Sequence, residues 1–343
     1  VRFDGGVPQL PVIIGHRGVP GERLEHTAAS YLLAIDQGVD YIEPDVVATA
    51  DGVLVVRHEN EISGTTDVAS VPQFADRKTS KVIDGVAYTG WFTEDFTLAE
   101  LKTLRAKERL PSLRPHNMAL AGTEQILTFD EVLTIAQDAS QRVGRTIGVY
   151  VETKHPTYFE SVGISLNDLL IADLERRGMN REGSAVVIQS METGNLKALR
   201  PRTPLMLVQL LERKGAPYDL VAAGDPRTYR SLTKKKQLDL IAEYADGIGP
   251  NKSLVIRRDE RFGANGPTKL VRRAHERGLV VHVWTLRNEN NFLPADLRIG
   301  HDEAAWGRAV DEYLAFFDAG VDGVFSDFAA TAVAARRQWA AQA

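Results

Sequence analysis

Short apolar runs with strand character alternate with amphipathic stretches along nearly the whole chain. No other feature of the sequence restricts the fold as much. Residues 11–15 (PVIIG), 41–47 (YIEPDVV), 147–152, 185–189, 205–210, 247–248, 280–284 and 323–325 read as strands. Helix patterns with legible ends lie between them. One covers 27–37, with Thr27 as N-cap and Gly38 past its end; 165–177 closes at Gly178 and 308–319 at Gly320. Repeated strand-then-helix units indicate a parallel sheet. Strand candidates number about eight and persist to the final Ala-rich helix from Ala329. The expected class is therefore α/β, a closed TIM-like (β/α)8 barrel rather than an open doubly wound sheet.

The chain of 343 residues is long for one such barrel, and one segment breaks the rhythm. Residues 59–118 are rich in Gly, Thr, Asp and Pro, with a single short helix signal at 98–104. A structureless loop of that length is improbable in a compact domain. We read one barrel domain over 1–343 carrying a small insertion lobe, 59–118, after the second strand.

Side chains alternate faces along a strand with a period of two. Glu43 and Asp45 in YIEPDVV therefore share a face, as do Glu152 and Lys154 in YVETK. So do Ile14 and His16, Val56 and His58, Val187 and Gln189, and His282 and Trp284. In each case the polar residue falls at the end of an apolar run. In a barrel those ends converge on one mouth, where active sites are built. Three carboxylates, two imidazoles, a guanidinium and an ammonium would meet there. Three carboxylates need a counter-charge, and all-oxygen ligation suits Mg²⁺ or Ca²⁺ better than Zn²⁺. The plain alternative is that Glu43, Asp45 and Glu152 only pair with Arg17 and Lys154. His16 and His58 flank the cluster as a potential base and acid. Arg17-Gly18 directly after His16 suits a phosphate oxyanion, through a guanidinium and a close backbone approach.

These residues sit in segments that together resemble the glycerophosphodiester phosphodiesterase family. The segments are GHRG (15–18), EHT (25–27), QGVDYIEPDVVATADGVLVVRHE (37–59), TTDVA (65–69), DFTLAEL (95–101), VETK (151–154), GPNKS (249–253), VHVWT (281–285) and FSDF (325–328). They span nearly the whole chain in the right order. The resemblance implies a TIM-like barrel that hydrolyses a glycerophosphodiester to sn-glycerol 3-phosphate and an alcohol. It implies one divalent cation, Ca²⁺ or Mg²⁺, on Glu43, Asp45 and Glu152. It also implies acid–base catalysis by His16 and His58, and phosphate binding by Arg17 and Lys154. Gln189 is expected to reach the phosphate or the metal's outer shell. Trp284 is expected to wall the glycerol or alcohol pocket, the alternative being an aromatic that caps the core. His282, one inward step deeper, reads as a core histidine. His26, His116, His275 and His301 show no partner in the sequence, and His155 should point away from the face of Lys154. Two departures, Arg23-Leu24 before EHT and Ala329 after FSDF, touch no expected ligand.

Composition excludes other classes. The net charge of −5 and the lack of any basic run beyond KKK at 234–236 argue against nucleic-acid binding. Without cysteine there is no disulfide, thiolate metal site or thiol nucleophile. No apolar run approaches a membrane span, so no stable membrane insertion is expected; the partner that the resemblance implies is a small-molecule glycerophosphodiester. The N-terminal Val and absent leader lead us to expect an exported protein with its leader removed, the cytoplasm being the alternative. An alternative substrate is a lysophospholipid or other phospholipid headgroup, for which Phe74, Trp91, Phe92 and Phe96 would supply an apolar rim. A catalytically silent barrel should have lost a member of the set, and none is missing.

Overall fold

The computed structural model describes residues 3–4, 7–8, 10–258, 262–263 and 265–342. Eight parallel strands close into a barrel: β1 (Val12–His16), β2 (Tyr41–Glu43), β3 (Gly148–Thr153), β4 (Val186–Ser190), β5 (Met206–Leu211), β6 (Gly247–Pro250), β7 (Val280–Leu286) and β8 (Gly323–Ser326). Each pairs with the next in chain order, and β8 returns to β1 with Gly323 opposite Val12. The expected (β/α)8 barrel is the fold observed. The first connecting helix, Ala28–Gln37, starts where Thr27 accepts the Ser30 amide and stops at Gly38, whose φ of 101° only glycine adopts freely.

The two-residue period sorts the core. Ile14, Tyr150, Val187, Val208 and Phe325 point inward and fill the barrel. Their neighbours Ile13, Val149, Val151, Ile188, Leu207 and Val324 point outward under the helices. His282 belongs to the inward layer, with Nδ1 hydrogen-bonded to the Tyr150 hydroxyl at 2.9 Å. One inward step above this plug stand His16, Glu152, Gln189 and Trp284, so the plug is the floor of the mouth.

The second strand does more than cross the barrel. After Pro44 it resumes as Asp45–Ala48, pairing with β3 so that Asp45 lies opposite Glu152. Leu54–Val56 then runs back antiparallel, with Val56 opposite Val46. His58 therefore reaches the mouth on a returning hairpin and not at the end of a barrel strand. Within 59–118 the chain forms a hairpin (Thr79–Ile83 with Val86–Gly90), the short helix Leu98–Leu101 and several 3-10 turns. Phe74, Trp91, Phe92 and Phe96 are buried here, so they supply no exposed rim. The exposed apolar side chains of this segment include Val82, Val86 and Tyr88 on the hairpin. Among the described residues no helix is long and apolar enough to cross a membrane.

At the opposite end of the barrel one device occurs three times. Asp40, Asp246 and Asp322 each precede an even-numbered strand. Each accepts a backbone N–H of the preceding strand: Ile13 at 2.7 Å, Leu207 at 2.9 Å and Val281 at 2.7 Å. A basic side chain holds each carboxylate: Arg336 at 2.5 Å, Arg200 at 2.9 Å and His275 at 2.7 Å. The Asp-Tyr, Asp-Gly and Asp-Gly pairs at these strand starts are thus stability features of the bottom face. Burial pushes the Asp322 carboxyl up, but the hydrogen bond and charge of His275 outweigh it and leave its pKa below the usual value. A depressed carboxylate pKa contributes stability above the unfolded pKa of about 3.9, and the contribution is lost as pH falls below it. Asp322→Ala, which orphans the Val281 amide, should cost about 1–3 kcal/mol at pH 7. Denaturant titrations should find turnover unchanged and the deficit shrinking below about pH 4. A deficit that does not depend on pH would contradict the role given to the charge.

Candidate active site

The β1–α1 turn is built around two glycines and a strained arginine. A Cβ at Gly15 would lie 2.8 Å from the Gly18 carbonyl, and one at Gly18 would lie 2.3 Å from Ser30 Oγ. Arg17 has a φ of 55°, a conformation rare for non-glycine residues and concentrated at functional sites. It is held there because its amide donates to Glu43 Oε2 at 2.7 Å. The same turn aims the Arg17 side chain across the mouth.

Glu43, Asp45 and Glu152 are buried, and each offers an oxygen within 4.8 Å of the others. Gln189 Nε2 donates to Glu43 Oε1 at 3.1 Å, and Lys154 Nζ donates to Glu152 Oε1 at 2.8 Å. Arg17 Nε stands 3.4 Å and Lys154 Nζ 3.8 Å from Asp45. The ion pairs expected of a purely structural cluster are therefore present, but they do not complete it. Two positive groups face three carboxylates, and Asp45 Oδ1 is buried without a hydrogen-bond partner, as is Gln189 Oε1. Burial, with the charges of Asp45 and Glu152, drives the Glu43 carboxyl well above its usual pKa. Burial likewise pushes Glu152 up to about 7. Asp45 goes the other way: Lys154 and His26 outweigh its burial and keep it ionised. A divalent cation held by Glu43, Asp45 and Glu152 would give the unpartnered Asp45 oxygen a partner and offset the crowding of the three carboxylates. The donors fit the implied metal.

Both histidines at the mouth are anchored through Nδ1. His16 Nδ1 lies 2.6 Å from Asp327 Oδ1. Asp327 Oδ2 in turn accepts Arg114 Nη2 at 2.5 Å and Arg287 Nε at 2.6 Å. These arginines hold Asp327 ionised against its burial, so His16 carries its proton on Nδ1 and turns Nε2 to the cavity. His58 Nδ1 bonds Glu59 Oε1, and Glu59 receives Arg109 at 2.8 and 2.7 Å. Arg109 also binds Glu25 at 2.8 and 2.6 Å, and Glu25 accepts Arg17 Nη1 at 3.2 Å. Burial, followed by Arg17, lowers the His16 pKa to about 4. The same two causes, with Lys154, lower that of His58 to about 3. Both imidazoles are neutral near pH 7 in the free protein.

All nine residues singled out in the sequence line one cavity of about 380 Å³: His16, Arg17, Glu43, Asp45, His58, Glu152, Lys154, Gln189 and Trp284. Trp284 fixes its ring by donating Nε1–H to the Gly249 carbonyl at 2.7 Å. The sequence reading passed over the groups that hold this set in place. His26 is fully buried, with Nε2 on Asp45 Oδ2 at 2.9 Å and Nδ1 on the Tyr31 hydroxyl at 2.8 Å. Asp327, Glu59, Arg109 and Arg114 were not singled out either. For Asp327 a signal existed, since it lies within the FSDF segment at a strand end. For Arg109 and Arg114, inside the irregular insertion, no periodicity exists to place them. His155 pairs with Asp84 at 2.6 Å, away from the triad. Lys252 borders the cavity but is engaged by Glu312 at 2.9 Å.

Comparison with known proteins agrees with this geometry. The model of the glycerophosphoryl diester phosphodiesterase family matches residues 16–331. A glycerophosphodiester phosphodiesterase of Arabidopsis thaliana is 35% identical over 93% of this chain and 84% of its own. A crystal structure of a Silicibacter pomeroyi protein described as a glycerophosphoryl diester phosphodiesterase by inference superposes with a TM-score of 0.66 at 19% identity, covering 97% of this chain and 95% of that one. An Oleispira antarctica phosphodiesterase, solved in complex with the product sn-glycerol-3-phosphate, superposes with a TM-score of 0.60 at 20% identity, covering 95% and 96%. At such identities these structures establish the shared barrel. The match across nearly the whole chain, on top of a barrel mouth holding every residue the motifs singled out, places this protein in the glycerophosphoryl diester phosphodiesterase family, whose members hydrolyse phosphodiester bonds.

Proposed function

We propose that the protein hydrolyses glycerophosphodiesters to sn-glycerol 3-phosphate and an alcohol, with a divalent cation at Glu43, Asp45 and Glu152 and acid–base catalysis by His16 and His58. One observation carries this reading. Two imidazoles, each fixed at Nδ1 by an arginine-clamped carboxylate, face the buried carboxylate triad across one cavity.

A bound cation, Ca²⁺ or Mg²⁺ from the oxygen donors, would supply charge balance and polarisation of a phosphoryl oxygen. The chain's own groups do the rest. Arg17 Nε, buried and without a hydrogen bond, and Lys154 Nζ meet the nonbridging phosphate oxygens and offset charge as it develops. Gln189, anchored on Glu43, keeps its unpartnered carbonyl oxygen toward the same space. Trp284 walls the glycerol or alcohol side. One imidazole accepts a proton at Nε2 from the attacking hydroxyl, and the carboxylate behind it stabilises the imidazolium. A new P–O bond forms as the P–O bond to the alcohol breaks, and the second imidazole, protonated beside the bound phosphate, gives its proton to the departing oxygen. The glycerol 2-hydroxyl as first nucleophile, with water opening the resulting cyclic phosphate, uses the same two groups with their duties exchanged.

A second reading, hydrolysis of lysophospholipids, draws on a different observation. The hairpin bearing exposed Val82, Val86 and Tyr88 places Asp84 at the edge of the mouth, beside Lys154 and His155. Release of acyl glycerophosphate from a lysolipid with none from glycerophosphocholine would favour it over the first.

His16→Ala and His58→Ala should each lower turnover of glycerophosphocholine by about 10²–10⁴-fold, with metal affinity by calorimetry little changed. Normal turnover in either variant would remove that histidine from the mechanism. EDTA should abolish activity and Ca²⁺ or Mg²⁺ restore it, whereas Asp45→Asn should need far more cation for the same rate; indifference to chelation would end the metal assignment. Asp327→Asn keeps the shape but loses the charge behind His16. It should reduce kcat by about 10²-fold with KM nearly constant, as expected for loss of orientation at the reacting group; a change confined to KM would place Asp327 in binding.

A further inference from the structure

Beside the catalytic cavity lies a second space of about 620 Å³, and the two adjoin, because Arg213 and Ser253 line both. Its charge is one-sided. Arg213, Arg230, Lys234, Arg257, Lys269 and Arg273 line it, and among the described residues no acidic side chain does. Nor does any described carboxylate pair with one of the six, whereas elsewhere on this surface arginines are commonly paired with acids. Arg273 Nε is buried without a hydrogen-bond partner. The concentration of positive charge is unexpected in a chain with a net charge of −5. Six cations gathered with no counter-ion among the described residues repel one another, an arrangement that an anion relieves. Thr233 and Thr268 also line the wall, their hydroxyls donating to the Arg230 and Leu254 carbonyls.

Resting on the proposed hydrolysis, we infer that this cleft receives the alcohol side of the substrate, and that the preferred alcohol carries at least one further phosphate group. The catalytic cavity already has its own phosphate-facing cations in Arg17 and Lys154. A substrate that places its scissile phosphate there extends its alcohol past Arg213 into the second space. A neutral or cationic alcohol gains nothing from that wall, while a phosphate gains charge-assisted, bidentate contacts with guanidinium groups. The same chemistry occurs in a phosphorylated polyol headgroup and in a short polymer of glycerol phosphate, in which the next phosphodiester of the chain is the second anion.

The test compares kcat/KM for matched pairs on the metal-loaded enzyme. Glycerophosphoinositol 4-phosphate is set against glycerophosphoinositol, and a three-glycerol, two-phosphate oligomer against glycerophosphoglycerol. The extra phosphate should raise kcat/KM by about tenfold or more in at least one pair, and the pair showing the gain identifies the source. The gain should fade as salt rises and screens the contact. It should also be lost in the double variant Arg230→Ala/Lys269→Ala, whose residues lie outside the catalytic cavity and whose turnover of glycerophosphoinositol should stay at the wild-type value. Equal kcat/KM within both pairs would overturn the inference while leaving the hydrolysis intact, and so would a gain that survives the double variant. Absence of turnover on every glycerophosphodiester would instead sink the proposed function itself.

Discussion

Three carboxylates crowded in a buried space set the terms for everything around the mouth. At an effective dielectric of about 20, one like-charge pair at about 4 Å costs about 4 kcal/mol. Full ionisation of this site would create three such pairs, so burial and this repulsion together drive the Glu43 and Glu152 pKa values up. Glu43, Asp45 and Glu152 can be held within 4.8 Å only by a scaffold that does not yield and by positive charge that does not leave. The barrel supplies the first. Glu43 and Glu152 project from strands locked into a closed ring, above a plug of Ile14, Tyr150, Val187, Val208 and Phe325, while the aspartate clamps at Asp40, Asp246 and Asp322 fasten neighbouring strands at the far end. Arg17 and Lys154 supply part of the second, and the oxygens they leave unmatched are what suits the site to hold a metal ion. Polar satisfaction is high at the bottom of the barrel and deliberately incomplete at the top, a division that suits a fold whose two ends do different work.

The inserted segment proves to be part of that scaffold. Arg109 grips Glu59 and Glu25, and Arg114 grips Glu289 and Asp327. Each arginine therefore fixes the carboxylate behind one of the two mouth histidines. Arg57, wholly buried on the returning hairpin, adds positive charge near the same acids, its pKa lowered by burial to about 10. An unbroken line of hydrogen bonds runs from neutral His58 through Glu59, Arg109 and Glu25 to the guanidinium of Arg17, with charges alternating from Glu59 onward. Displacing the segment would release His58 and loosen Arg17 together, since both are tied to Arg109. In such a network the members cannot be assigned separate energies, because removing one leaves a buried charge unpaired.

What the sequence disclosed follows from what repeats. The strands and the residues at their ends were legible because a period of two puts His16, Glu152, Gln189 and Trp284 on the inward face whatever the flanking loops do. Glu43 and Asp45 were placed rightly although Pro44 interrupts their strand, since the chain resumes the same direction against β3. His58 was placed rightly for an incomplete reason: the hairpin that returns it is a tertiary event, with Val56 settling opposite Val46. His26 was dismissed because the carboxylate that holds it, Asp45, is a neighbour only in space, and no strand period links it to Tyr31 five residues on. Arg109 and Arg114 sit in irregular backbone, where no period links residue number to direction. Local periodicity reveals which face a side chain occupies; it does not reveal which distant charge will hold it still.

The barrel also keeps the carboxylate triad and the basic cleft on separate segments of the chain. The groups assigned to bond breaking come from the ends of β1, β2, β3, β4 and β7 and from the hairpin after β2. The basic cleft is assembled from the segments that follow β5 and β6: Arg213, Arg230 and Lys234 after the first, Arg257, Lys269 and Arg273 after the second. Loops of the same mouth therefore divide into two arcs, one mixing carboxylates and imidazoles with Arg17 and Lys154, the other presenting, among the described residues, only positive charges. They meet at Arg213 and Ser253. None of the second arc's six cations belongs to a barrel strand, the inner plug or the carboxylate triad, so that arc can vary without disturbing the crowded charges of the first.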